Sequence, residues 1–320
     1  MRLLLVLAFL PSLLWAAPLV PPPGFTRPLP HTLAGKCVDL PAPWTGALDF
    51  PSKYAGSDSA RATLNPAAER AFRAQTQPIV DFERGISTMV WRYKQSGDTA
   101  TLNCLLKGYR AWARAGALAS TQTNHTGRAM RKWALATLAT GWLALQPQPE
   151  DAQVAHWLGE LADLVVADWD GLALQKTNNH SYWAAWAVMA TAVALDRQDL
   201  YDWSIKVFRL AAGQIAADGQ LPNEQKRGAR ALAYHNYALQ PLVMIASFAA
   251  ANGQDLLKEN HGALGRLAGY VLSQRETDPV WLAPWCNLTR CNATTRALRD
   301  ARQPLESRRL GGNLTLIYAP

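Results

Sequence analysis

From about residue 66 onward, apolar residues recur at intervals of three and four, and the alternation typical of half-buried strands is nearly absent. That periodicity sets the fold class. It predicts about eight helices, over 66–95, 98–118, 125–146, 150–168, 179–196, 198–217, 225–251 and 254–274. Gly97, Gly171, Gly219 and Gly253 fall at or near the breaks, and Asn124 and Asn178 stand where N-cap side chains belong. Segments of about twenty residues joined by short turns form antiparallel helical hairpins. Alternating hairpins can close into a ring of inner and outer helices whose inner ends surround one groove. An open superhelix is the competing layout, but no fixed repeat period supports it. The predicted class is all-α, antiparallel helical hairpins over 66–320 that can close as an α/α toroid. Residues 279–320 read as loop, with "RLGGNLTLIYAP" giving a short terminal strand.

The first sixteen residues read as a secretory signal peptide. Arg2 precedes an apolar run from Leu3 to Leu14, and small residues follow at Ala16 and Ala17. Residues 17–65, rich in proline at the start, are expected to form an extended arm ending in a loop. An exported chain with four cysteines suits two disulfides, and Cys37–Cys104 with Cys286–Cys291 is the favoured pairing. Six histidines with no i, i+4 pair, and no CxxC, offer no support for a metal site, and no cofactor is expected. GxSxG is absent as well, so an esterase-type nucleophile has no support.

The formal charge of +8 draws a polyanion. Nucleic acid, an anionic membrane and an acidic polysaccharide all satisfy charge alone. Thirteen tryptophans lean toward the last, since indole faces stack on sugar rings. No later stretch has eighteen consecutive apolar residues, so no membrane insertion is expected.

Two stretches concentrate chemistry. "KTNNHSYWAAW", residues 176–186, places Asn179 and His180 in the first turn of a helix, where exposed N–H groups favour negative charge. "LPNEQKRGARALAYHNYAL", residues 221–239, read as one helix, puts Arg227 and Tyr234 within about 20° of each other, with Arg230 on the same face. Cations beside a phenol are expected to lower its pKa. Glu224 reads as a helix-start carboxylate paired with Arg227. Asn, His, Arg and Tyr without a carboxylate pair suit proton abstraction next to a carboxylate. Uronic acid polymers carry such a proton on C5, and charge-quenching groups would stabilise the enolate left behind.

These stretches, with "SKYAGSDSARATLN", "WARAGAL", "NHTGRAMRKWAL" and "RLGG", resemble the periplasmic alginate lyases that act on poly(β-D-mannuronate). The resemblance runs from about residue 36 to 318. It implies an incomplete α/α toroid with a deep groove, and β-elimination that leaves an unsaturated sugar at the new end. It makes Tyr234 the proton-transfer group, His180 its partner, and Asn179 and Arg227 the groups that neutralise the carboxylate. The 52–65 loop resembles the family's lid, from which Lys53 and Tyr54 reach across the groove. Asn124, His125 and Trp133 are expected to bind a neighbouring sugar, and Arg309 of "RLGG" a substrate carboxylate. The implied partner is alginate and not nucleic acid. A periplasmic monomer is expected, with an alginate secretion complex as a further partner. Two alternatives belong to other classes. One is a non-catalytic alginate-binding or export component. The other is a toroid glycoside hydrolase, with Asp168, Asp170 and Asp218 as candidate acids.

Overall fold

Short polar side chains start the helices. Asn65, Asp98, Asn124, Asp151 and Asn178 each accept a hydrogen bond from a backbone N–H one or two residues into the helix they precede. The computed structural model describes residues 17–54, 56, 60–146, 149–274 and 278–319. The predicted signal peptide, and residues 55 and 57–59 of the lid loop, lie outside the described residues.

In chain order the helices are α1 (Pro23–Thr26), α2 (Pro66–Ser96), α3 (Thr99–Arg114), α4 (His125–Ala144), α5 (Ala152–Trp169), α6 (Asn179–Leu195) and α7 (Gln198–Gln214). They continue with α8 (Pro222–Gln225), α9 (Ala231–Ala251), α10 (Glu259–Ser273), α11 (Leu282–Thr289) and α12 (Ala293–Ala301). Strands β1 (Glu306–Ser307) and β2 (Gly312–Asn313) pair antiparallel, and α13 (Leu314–Ile317) closes the chain.

α2, α4, α6 and α9 pack side by side in that order, and so do α3, α5, α7 and α10. The first set is the inner layer and the second the outer, which makes the molecule an incomplete α/α toroid. The inner helices α4, α6 and α9 are apolar nearly all round because they are covered on every side, whereas α2 at the end of the row buries one face only. Every residue of α6 from Ser181 to Ala194 is buried, and α4 is buried from Ala129 to Ala144 except at Trp133. The C-terminal turn Arg308–Leu310 packs on α2, α4 and α9 and so bridges the open part of the ring.

The structure departs from the sequence reading in three places. The helix expected over 225–251 is broken. α8 ends at Gln225, Gly228 takes a left-handed φ of 56°, a 3-10 turn covers Gly228–Arg230, and α9 begins only at Ala231. Residues 279–319 hold three short helices and a hairpin of two-residue strands where loop was expected, and only Gly312–Asn313 of the expected terminal strand is extended. The arm is anchored and not merely extended. Its one helical turn buries Phe25 edge-on to Phe248 at 5.1 Å, and Lys94 Nζ donates to the carbonyls of Phe25, Arg27 and Ala144. Both expected disulfides are present. Cys37–Cys104 ties the arm to α3, and Cys286–Cys291 closes the end of α11. Among the described residues no helix is long and apolar enough to cross a membrane.

Candidate active site

Because outer helices return the chain each time, the inner helices begin at the same end of the ring. His125 opens α4, Asn179 and His180 open α6, and Tyr234 lies in the first turn of α9. Their exposed backbone N–H groups and aligned dipoles make that end favourable to an anion. A cavity of about 420 Å³ sits there, and its walls include Lys53, Tyr54, His125, Trp133, Asn179, His180, Tyr234 and Arg309. An adjoining cavity shares Arg61, His125 and His180 with it and adds Arg227. The structure thus gathers nine of the ten residues singled out in the sequence. Asn124 stands apart from both cavities. Its Oδ1 caps the N–H of Gly127, and its amide nitrogen donates to Asp49 and to the Phe50 carbonyl.

At the centre are two phenols. The hydroxyls of Tyr54 and Tyr234 lie 2.8 Å apart, and Arg230 Nη1 donates to Tyr54 at 3.0 Å. The guanidinium carbons of Arg227 and Arg230 stand 4.8 and 5.1 Å from the centre of the Tyr234 ring. Arg227 reaches it without the continuous helix that the sequence suggested, because the Gly228 turn folds it back. The expected acidification falls on the other phenol. Burial opposes ionisation of Tyr54, yet the Tyr234 hydrogen bond, Lys53 and Arg230 together hold its pKa below the ordinary value. Tyr234 goes up, driven by burial and then by Tyr54, against the opposing pull of Arg230 and Arg227. The two titrate as one unit, and the first proton to leave the pair leaves below the ordinary tyrosine range.

The described residues of the 52–65 loop are fastened over this pair. Tyr54 bridges antiparallel to Leu64, Asn65 N donates to the Lys53 carbonyl at 3.0 Å, and Arg227 Nη1 donates to the Ala60 carbonyl at 3.2 Å.

His180 lies flat against Trp169, with ring centres 5.5 Å apart, and edge-on to His125 at 4.8 Å. Its Nδ1 is 2.8 Å from Lys132 Nζ. Burial first, then the charges of Lys132, His125, Arg227 and Arg61, push its pKa well below the ordinary histidine value, so the ring is neutral at pH 7. His125 moves the same way, through partial burial and then Lys132. Burial and the neighbouring cations thus act in the same direction on both histidines.

Two residues that sequence reasoning underused shape this centre. Glu224 is fully buried behind Asn179. It accepts from the Asn179 backbone N–H at 2.6 Å and from the side-chain amide at 3.0 Å on each oxygen, while Arg227 Nε stands 3.7 Å away. Burial pushes its carboxyl pKa up against the pull of Asn179 and Arg227. Asn179 Oδ1 and Arg227 Nε are buried without a hydrogen-bond partner. Lys132 went unnoticed altogether, although it lies seven residues after His125 and therefore on the same face of α4. At the other wall, Arg308 and Arg309 share the buried Glu83, and the Arg309 guanidinium lies 4.6 Å from the Trp133 ring centre.

The candidate acids of the hydrolase alternative do not oppose one another across the cleft. Asp168 pairs with Arg131 and Arg128, Asp170 with Lys206 and Trp203, and Asp218 turns to Gln220. Among the described residues no cluster of His, Cys, Asp or Glu could hold a metal ion.

Fold and site together define an α/α-toroid protein with a cationic cleft built for a carboxylate-bearing chain. The family model described as alginate lyase matches residues 49–282, and the chain belongs to the alginate lyase family. An alginate lyase of Pseudomonas putida (strain GB-1) is 48% identical over 339 residues, covering 95% of this chain and 92% of the relative. One from Pseudomonas syringae pv. syringae is 46% identical, covering 99% and 94%. Among solved structures, alginate lyase A1-III from Sphingomonas species A1 matches with a TM-score of 0.74 at 23% identity, over 92% of this chain and 90% of that one. A Tyr-to-Phe variant of alginate lyase A1-III complexed with tetrasaccharide matches with a TM-score of 0.77, also at 23% identity, over 91% and 88%.

Proposed function

We propose that this chain, a polysaccharide lyase acting on alginate by its family, cleaves the poly(β-D-mannuronate) form by β-elimination. The observation that carries the reading is the Tyr54–Tyr234 pair, 2.8 Å apart beneath Arg230, in the same cavity as His180 and Asn179. A mannuronate unit binds with its C6 carboxylate toward His180, Asn179 and Arg227. The phenolate form of the pair takes the C5 proton, and the negative charge spreads onto the carboxylate. Tyr234 then gives a proton to O4 as the C4–O4 bond breaks. C4=C5 forms, and the pair returns to its phenolate state. In β-D-mannuronate the C5 hydrogen and the C4 oxygen lie on one face of the ring, so one phenolic group serves both transfers.

His180 supports this as a neutral hydrogen-bond donor and not as an imidazolium. Arg227 supplies the full positive charge. Asn179 contributes through the side chain that Glu224 holds in place, its amide nitrogen donating to both carboxyl oxygens.

The expected export signal and the two disulfides support a periplasmic location. The wild-type chain is tested by mixing it with polymannuronate and with polyguluronate and following the ultraviolet absorbance of the conjugated double bond. A rise with polymannuronate well ahead of polyguluronate supports the reading. New reducing ends without absorbance would replace it with hydrolysis, and binding without either with a carrier role.

A further inference from the structure

Lys132 is the most anomalous charge-bearing side chain in the molecule. It lies in the interior of α4 with none of its surface exposed. No Asp or Glu among the described residues comes within ion-pair reach of it. Asp168, a carboxylate whose charge acts on it, is already taken by Arg131 and Arg128. Its ammonium also faces the positive field of Arg309. A lone buried cation costs several kcal/mol, and α4 could bury a Leu or Met there without that cost. The amine does have two neighbours. Nζ stands 3.7 Å from the centre of the Trp169 ring and 2.8 Å from His180 Nδ1. It also lies 5.3 Å from the centre of the Trp133 ring.

That contact has one consequence for the imidazole. An ammonium can only donate, whereas a neutral amine can also accept from Nδ1–H; with the amine as donor, a neutral ring must keep its own proton on Nε2. The ring plane is fixed at the same time, because His180 is stacked within 3° of parallel to Trp169. His180 then turns an N–H into the cavity that it shares with Tyr234 and Asn179. The opposite tautomer would present a bare lone pair to a carboxylate and repel it.

We propose that Lys132 is the positioning residue of this site, holding His180 as its Nε2–H tautomer so that the ring donates to the substrate carboxylate. Lys132 touches no substrate and acts only through His180. The inference rests on the mannuronate reading for the identity of the carboxylate, but the tautomer itself is independent of that reading.

The test is long-range proton–nitrogen correlation NMR of the histidine rings at neutral pH. His180 is assigned by the signal that vanishes in His180→Gln. In the wild-type chain its Nε2 is expected to carry the proton and its Nδ1 to show the shift of an unprotonated acceptor. Lys132→Met keeps length and burial but offers no donor. It should mix or reverse the tautomer and lower kcat by roughly 10–100-fold, the usual cost of removing a partner that orients a functional histidine, with KM changed far less. Lys132→Arg, which restores a donor, should recover part of both. A proton on Nδ1 in the wild-type chain overturns the proposal without any variant, even if Lys132→Met fails to fold. An unchanged tautomer and unchanged kcat in folded Lys132→Met overturn it as well. Wild-type inactivity on polymannuronate would sink the functional reading alone and leave the tautomer result standing.

Discussion

Glu224 offers the most revealing perturbation. Its two oxygens take three hydrogen bonds from Asn179, and it stands behind Arg227, with no surface exposed to water. Glu224→Ala leaves the Asn179 backbone N–H and its amide without partners in a closed space. Each buried unpaired polar group costs about 1–3 kcal/mol. Some relief from an entering water leaves a net loss of about 3–5 kcal/mol, also the range for removing one member of a buried charged pair. For a chain of this size that lowers Tm by roughly 5–15 °C. The rate should fall further than stability explains, because Asn179 and Arg227 both lose the group that aims them. Glu224→Gln is the sharper variant. If Glu224 works protonated, with the Asn179 amide turned to meet it, a glutamine amide supplies the same donor toward Asn179 Oδ1 and the same acceptor toward the backbone N–H. Activity and Tm should then stay close to wild type. Thermal melts and initial rates on polymannuronate measure both quantities. A Glu224→Gln enzyme as weak as Glu224→Ala would show that the ionised carboxylate is the working form, and an unaffected Glu224→Ala would remove Glu224 from the site.

Other expectations follow from the same geometry. Arg227→Ala should reduce kcat more than affinity, since the charge it meets is largest in the transition state. Steady-state rates against binding to the inactive Tyr234→Phe background would measure this, and an unchanged kcat would exclude Arg227 from the mechanism. Activity should rise with pH as the phenol pair loses its first proton, below the ordinary tyrosine value because Tyr54 is held down by Tyr234, Lys53 and Arg230. Tyr54→Phe should move that rising limb to higher pH, and a limb that stays in place would mean another group is the base. Gly312→Ala should unfold the C-terminal hairpin, because φ is 101° there and a Cβ would sit 1.7 Å from Trp91 Nε1. A variant that melts like wild type would contradict that.

Helix positions were legible because α4, α6 and α9 are apolar nearly all round while α2 and the outer helices are apolar on one face, and both patterns survive in a single sequence. The start of α6 was equally plain. Asn178 is a good cap, and an apolar helix with no other reason to carry "NHSYW" advertises a functional end. The 221–239 stretch misled for a local reason. Spacing alone treats Gly228 as a weak helix residue, whereas here it turns the chain through the left-handed region and ends one helix before the next begins. The alignment of Arg227 with Tyr234 was therefore right by a wrong route. The pKa expectation failed because it counted the arginines and omitted a second phenol contributed from 180 residues away. No periodicity reports such a contact. Lys132 was missed, and Glu224 was read only as the partner of Arg227 and not of Asn179, because a lysine inside an apolar helix and a glutamate at a helix start each have ordinary explanations until their neighbours are known. The short helices after residue 279 lack the length at which periodicity separates helix from loop.

The most direct measurement compares the wild-type chain with Tyr234→Phe on polymannuronate, following double-bond absorbance for rate and calorimetry for binding. Tyr234→Phe removes one oxygen that both takes and returns a proton. Each proton transfer is worth about 10²–10⁴ in rate, so turnover should drop by at least about 10³-fold while polymer still binds. Turnover within tenfold of wild type in that variant would show that the protons travel through some other group, and the account built on this phenol would be wrong.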